Sequence, residues 1–288
     1  MSLVINHNLM AMNAARNLGT SYGRLADSTR RLSSGLRVES AADDAAGLAI
    51  RELMRADIAS LNQGVRNAND AISMIQTADG ALQVIDEKLI RLKELAEQAA
   101  TGTYNSDQRL LINQEFRAMV SEITRIANAT DFNNVKLLDG TLSGVHDGSG
   151  LQSTGAIKIH FGVGNDSSED YYYVEIGDAR AAALGVDIGI STQQLAQEAL
   201  AIINNAIISK DEIRAALGAL QNRLENTISN LQIQSENLQA AESRISDVDV
   251  ALEMTEFVRN QILTQAAVAM LAQANSLPRL AMQLIGGG

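Results

Sequence analysis

The stretch IRAALGALQNRLENTISNLQIQSENLQAAESRISDVDVAL, residues 213–252, repeats its apolar positions in alternating steps of four and three. One half of that seam is Leu217, Leu224, Leu231, Leu238, Ile245 and Leu252; the weaker half is Ile213, Leu220, Thr227, Gln234, Ala241 and Val248. A seven-residue period held over more than five heptads marks a coiled coil, so a partner helix is expected along it. At about 1.5 Å per residue the segment spans roughly 60 Å, which predicts a rod. Each buried leucine contributes about 1.5–3 kcal/mol, making the seam a major stabilising feature.

Outward from this stretch the same stepping recurs. Near the amino terminus it runs through positions 11, 15, 18, 22, 25, 29, 32 and 36, including Leu18, Tyr22, Leu25, Leu32 and Leu36, and stops near Ser33-Ser34-Gly35. Ser40 and Asp43 have capping-box spacing, which predicts a long helix starting there. Its seam passes Leu61, Val65, Ala68, Ile72 and Ile75, takes an extra step of three to Ala78, and continues through Leu82, Ile85, Leu89, Leu92, Ala96 and Ala99. After Gly102 a shorter antiparallel helix is expected, with Ile112, Phe116, Met119, Ile123 and Ile126 on its seam. From Thr130 to about Ser191 glycines and asparagines interrupt the period, while Ile157, Ile159, Phe161 and Val163, then Tyr172, Val174 and Ile176, alternate as in a β-hairpin. Ser191 with Gln194 resembles a further cap, opening a helix that continues unbroken into the seam. The predicted fold class is mainly α: a long antiparallel coiled-coil rod with a small β-hairpin region and no large outer domain.

Composition narrows the function. Of 288 residues 46% are apolar but only 3% aromatic, with no tryptophan and one proline, which suits close helix packing better than a roomy ligand pocket. A net charge of −11, with no basic helical face, argues against nucleic acid as a main partner. Without cysteine there is no disulfide, thiol catalysis or thiolate metal site. The first residues lack the pattern of a secretory signal, and no uncharged apolar run reaches membrane-spanning length. His7, His146 and His160 lack metal-ligand spacing, Asp43-Asp44 is explained by a helix start, and neither a nucleophile elbow nor a phosphate loop occurs; no enzyme, cofactor or metal is expected. Tyr171-Tyr172-Tyr173 reads as strand and surface rather than a binding cage. Both chain ends are bare of charge: none precedes Arg16, and beyond Arg259 only Arg279 remains, while the apolar stripe widens through Phe257, Val258, Ile262, Leu263 and Met270. Such segments must pair with each other and with other subunits.

LSSGLR at 32–37 followed by AADDAAGLAI at 41–50, with residues 128–138, LGALQNRL at 217–224, SRISDVD at 243–249, QILTQA at 261–266 and LAQAN at 271–275, closely resembles bacterial flagellin. The resemblance covers roughly 1–140 and 190–285; the tail departs from it in ending Leu284-Ile285 and three glycines. It implies a structural subunit that self-assembles into the helical flagellar filament. Residues 1–43 and 256–288 would form an inner tube, 44–140 and 191–255 the helical rod around it, and 141–190 a short variable hairpin region. It further implies secretion through the flagellar export channel, an extracellular filament, and as partners a homopolymer, an export chaperone, and filament cap and hook-junction proteins. A flagellin-sensing Toll-like receptor would contact Arg91, Leu95 and Glu115. The rival readings are a hook-filament junction protein, used in few copies, and a membrane-inserting translocator or toxin, which would bind liposomes.

Overall fold

The computed structural model describes residues 7–150 and 154–286, with side chains as far as Ser276. Among these residues five helices carry most of the chain: α1 (Leu9–Ser34), α2 (Ala45–Ala100), α3 (Ser106–Ala129), α4 (Gln193–Ser246) and α5 (Val250–Gly286). Two small antiparallel sheets, β1 (Asp131–Phe132) with β2 (Val135–Lys136) and β3 (Ile157–His160) with β4 (Tyr171–Val174), complete it. The mainly helical reading, without a large outer domain, is borne out.

The caps differ in detail from expectation. Helix α1 stops as predicted at Gly35, whose φ of 72° is the left-handed conformation that glycine adopts freely. Helix α2, however, is not capped by Ser40. Asp44 Oδ1 accepts from the Ala46 and Gly47 amides, while the Asp43 carboxylate closes the preceding turn by accepting from Ser40 N, Ser40 Oγ and Glu39 N. Likewise Thr192, not Ser191, caps α4, its hydroxyl accepting from Leu195 N at 3.2 Å. In each case the residue nearest the helix holds the free amides.

The chain forms two compact units, Asp57–Glu236 and Met1–Ala56 with Asn237–Gly288. In the first, the α2 seam is buried where the heptads place it: Leu61, Ala68, Ile75, Ala78, Leu82, Ile85, Leu89, Leu92, Ala96 and Ala99 are at most 3% exposed, the three-residue step included. Phe116, Val120 and Ile123 of α3 and Ala196, Ala199, Ile203, Leu217 and Leu224 of α4 pack against it. Both neighbours run antiparallel to α2, as Arg91–Glu115 with Arg109 on the Ala99 carbonyl, and Lys210–Asp86 with Arg214–Asp79, require. Strand β3 pairs with β4 in the register Ile157↔Val174 and Ile159↔Tyr172, so these four lie on this core, whereas Val163, placed on the same face by its spacing, falls beyond the end of β3 and is exposed. At Gly64 the hairpin backbone meets α2 closely: a Cβ there would lie 2.1 Å from the Phe161 carbonyl oxygen. Asn67 Nδ2 donates to the His160 carbonyl one turn away. The Asn133-Asn134 turn, both residues at positive φ, makes a second hairpin that the sequence reading treated only as a turn.

The opening seam needs two corrections: Gln234 is exposed while its neighbour Ser235 is buried, and the last leucine lies outside. Leu217, Leu224 and Leu231 are buried, and Leu238 and Ile245 half-buried, but Leu252 is 66% exposed. Helix α4 ends at Ser246, and Asp249 starts α5 by accepting from Ala251 and Leu252 amides through Oδ1. Asp249 on these backbone amides, with the Asp247 carboxylate accepting from the Ser243 hydroxyl, thus marks a helix break that leaves the apolar period running.

Candidate assembly surface

Helices α1 and α5 pair antiparallel: Asn8 Nδ2 donates to the Ala274 carbonyl at 2.7 Å, and Arg31 meets Glu253 at 3.7 Å near the other end. The covered line on α1 is Ala11, Ala14, Leu18, Ser21, Leu25, Ser28 and Leu32. The predicted positions 11, 18, 25 and 32 hold, but 14, 21 and 28 replace 15, 22 and 29. Alanine and serine at these places let the helix axes approach, whereas Tyr22 would hold them apart; it is 65% exposed. The covered line of α5 is similarly small and polar, with Asn260, Thr264, Ala267, Leu271 and Ala274.

The outside of the pair carries large apolar side chains as well. Leu9, Met10, Met12 and Tyr22 on α1, and Leu252, Met254, Val258, Ile262, Leu263, Val268 and Met270 on α5, are all exposed. Exposed apolar side chains in such number mark an association surface. Helix α1 also contains Gly19 and Gly23, and a Cβ added to either meets nothing within 4 Å. Each glycine costs the helix about 1 kcal/mol relative to alanine, with no compensating contact inside the chain.

Where α1 and α4 end, their backbones are tied together. Arg37 N donates to Ser246 O, Val248 N donates to Gly35 O, and the Arg37 guanidinium donates to Ile245 O at 2.8 Å. Arg51, 6% exposed, donates to Val38 O and pairs with Glu52. A free helix-end carbonyl, Ile245, and a carbonyl of the α1–α2 connection, Val38, thus receive guanidinium donors. Sequence reading gave neither arginine this role, because the carbonyls they serve come from distant residues and from chain breaks that periodicity does not reveal.

The receptor trio is only partly displayed. Arg91 Nη2 lies 2.7 Å from Glu115 Oε1 and Nη1 2.9 Å from Glu94, and all three side chains are exposed. The Glu115 hydrogen bond, with Glu94 adding to it, raises the already high guanidinium pKa. Leu95 is 1% exposed and belongs to the core beneath. Lys210 is a residue the sequence reading passed over: 1% exposed at a seam position seven before Leu217, it reaches Asp86 at 2.5 Å and Asp211 at 2.7 Å. One turn on, Arg214 reaches Asp79 at 2.7 Å. These pairs fix the register of α4 on α2. Among the described residues His7, His146 and His160 enter no metal-binding group, and no helix is long and apolar enough to cross a membrane.

Two family models match: the bacterial flagellin N-terminal helical region over residues 5–143, and the bacterial flagellin C-terminal helical region over 200–285. A flagellin from Halalkalibacterium halodurans is 46% identical over 283 residues, covering 98% of this chain and all of the relative. The flagellar filament 33 kDa core protein of Treponema phagedenis is 41% identical over 290 residues, with 98% of this chain and 100% of the relative covered. Bacillus subtilis flagellin is 41% identical over 305 residues, covering 98% and 99%. The crystal structure of Bacillus cereus flagellin aligns with a TM-score of 0.49 at 30% identity, over 62% of this chain and 94% of that one.

Proposed function

Since the chain belongs to the bacterial flagellin family and is a structural subunit of the flagellar filament, we propose that α1 and α5 are its polymerisation element. The observation that carries this is their outward apolar surface: Leu18, Leu25, Leu32 and Leu271 are covered between the two helices among small and polar residues, yet many large apolar side chains remain outside. Covering one part of that surface with a different, complementary part of another copy is a heterologous contact that need not close on itself, and so propagates as a helical polymer. In this reading residues 1–43 and 256–288 line the inner tube and the remaining helices surround it, outside the cell. The role is structural, with no catalytic step. Before export the outward face of α5 is the place for a secretion chaperone, and the filament cap and hook-junction proteins meet the same helices at the two filament ends. A hook-filament junction role predicts no long polymer from the isolated protein.

Deleting residues 1–34 tests the assignment. The truncated chain is expected to stay soluble and to fail to sediment as filaments after seeding with wild-type fragments, whereas the full chain elongates them; filament growth by the truncated chain would overturn it. For the Toll-like receptor we assign recognition to the exposed Arg91 and Glu115, with Leu95 supporting the helix surface from below. Arg91→Glu and Glu115→Arg together preserve a salt bridge but reverse its polarity. Receptor signalling is expected to fall with the double reversal while filaments still form; unchanged signalling would show that the pair only packs.

A further inference from the structure

Aromatic side chains are scarce in this chain, yet three of its five tyrosines stand in succession on β4 and two of its three histidines lie beside them. The face of the hairpin turned away from the core holds Lys158 and His160 of β3 and Tyr171 and Tyr173 of β4, in the cross-strand pairs Lys158↔Tyr173 and His160↔Tyr171. The rings form a row. His160 stacks on Tyr171 with centroids 6.0 Å apart, Tyr171 meets Tyr173 edge to face at 5.5 Å, and Tyr173 meets His146 at 5.2 Å. His146 is held in place by donating from Nδ1 to the Ala156 carbonyl at 2.7 Å. At this end of the row is a recess of about 310 Å³ lined by Ser143, Gly144, His146, Ala156, Tyr173 and Glu175. Tyr173 is 47% exposed and Glu175 is exposed.

Ring packing across a two-stranded sheet is a sufficient reason for some aromatics here, because such a sheet is marginal alone. It does not explain the polar groups set around them. The recess joins a ring face to a carboxylate, a serine hydroxyl and a phenol. A ring face beside separate donors and acceptors suits a ligand with an apolar C–H face and a hydroxyl rim. Basic and acidic residues balance within 1–56 and 237–288, so the formal charge of −11 falls on 57–236, which holds the hairpin. Polyanions are therefore repelled.

We propose that the outer face of the β3–β4 hairpin, with the recess at Tyr173, His146 and Glu175, is a binding site for neutral saccharides. The ring of Tyr173 takes the C–H face of one sugar and Glu175 and Ser143 engage its hydroxyls, while Tyr171, capped by Lys158 Nζ 3.6 Å from its ring centroid, buttresses Tyr173 edge to face. The site goes beyond the filament role and does not depend on it. In a polymer, however, many weak copies would act together on a glycan-bearing surface.

The test uses full-length protein, both as monomer and as assembled filament, titrated with cellotriose and triacetylchitotriose, with heparin oligosaccharide as the anionic comparison. Tyrosine emission in the absence of tryptophan, and calorimetry, give the readout. Neutral trisaccharides are expected to bind both forms, and heparin neither. Glu175→Gln, which leaves every ring in place, is expected to weaken binding about tenfold, as is Tyr173→Ala, while Tyr173→Phe keeps most of it. No response from wild-type protein would overturn the proposal, as would undiminished binding by Glu175→Gln. Binding by the monomer that disappears in filaments would also overturn it, because the face would then be a subunit contact. Filament formation itself is scored separately by sedimentation, so failure of the saccharide site leaves the polymerisation reading standing.

Discussion

Gly64 and Gly218 are both helical glycines, yet their surroundings give opposite expectations. At Gly64 a methyl group would enter the Phe161 backbone, so Gly64→Ala should cost about 1–3 kcal/mol through overpacking and be seen as a lowered thermal midpoint with earlier proteolysis of the hairpin. At Gly218 nothing lies within 4 Å, and Gly218→Ala should stabilise by about 0.5–1 kcal/mol. Gly19 and Gly23 have the same open surroundings in the single chain. If a neighbouring subunit approaches α1 there, Gly23→Ala should raise the helicity of the monomer and slow filament elongation, an opposition that circular dichroism and sedimentation would read together. The Asp43 turn gives a pH dependence. Hydrogen bonding from Ser40, backbone first and then hydroxyl, holds this carboxyl below its ordinary range. A depressed folded pKa means that the turn's contribution is present above the unfolded value and lost as pH falls through the folded one. Amide protection at Glu39 and Ser40 should therefore drop on acidification, as measured by hydrogen exchange.

Among the elements, helix existence was legible because periods of seven survive any choice of partner. What periodicity could not decide was which neighbouring position joins the seam. In α1 the apolar residue at 22 looked like the inward one, yet Ser21 is covered and Tyr22 is exposed. An internal core would select the larger side chain; a helix pair whose outer face is itself to be buried selects the smaller one inside. The exposed Leu252 follows from a different cause, since local aspartate bonds ended α4 while the apolar spacing ran on. A corresponding asymmetry is expected in mutants. Leu224→Ala, within the buried seam, should cost about 2–5 kcal/mol. Ile262→Ser, on the outward face of α5, should leave the monomer's stability within about 0.5 kcal/mol and abolish polymerisation. Denaturant melts and sedimentation separate the two.

Across the whole molecule the sequence already showed long helices, a short hairpin region and charge-poor ends, because each is a property of consecutive residues. The hidden features are those built from residues far apart: Lys210 between Asp86 and Asp211, Arg37 on the carbonyls before Asp247, and the hairpin set on Gly64. Periodicity reports that a position is inside without naming its neighbour. The outward apolar ridge of α1 and α5 has a thermal corollary. Removing hydrocarbon from water lowers heat capacity and loses its driving force on cooling. Adding a subunit should therefore show a large negative heat-capacity change in a calorimeter. The critical concentration for growth should rise as the solution is chilled, and a bacterium in cold water would keep more of its subunits unattached.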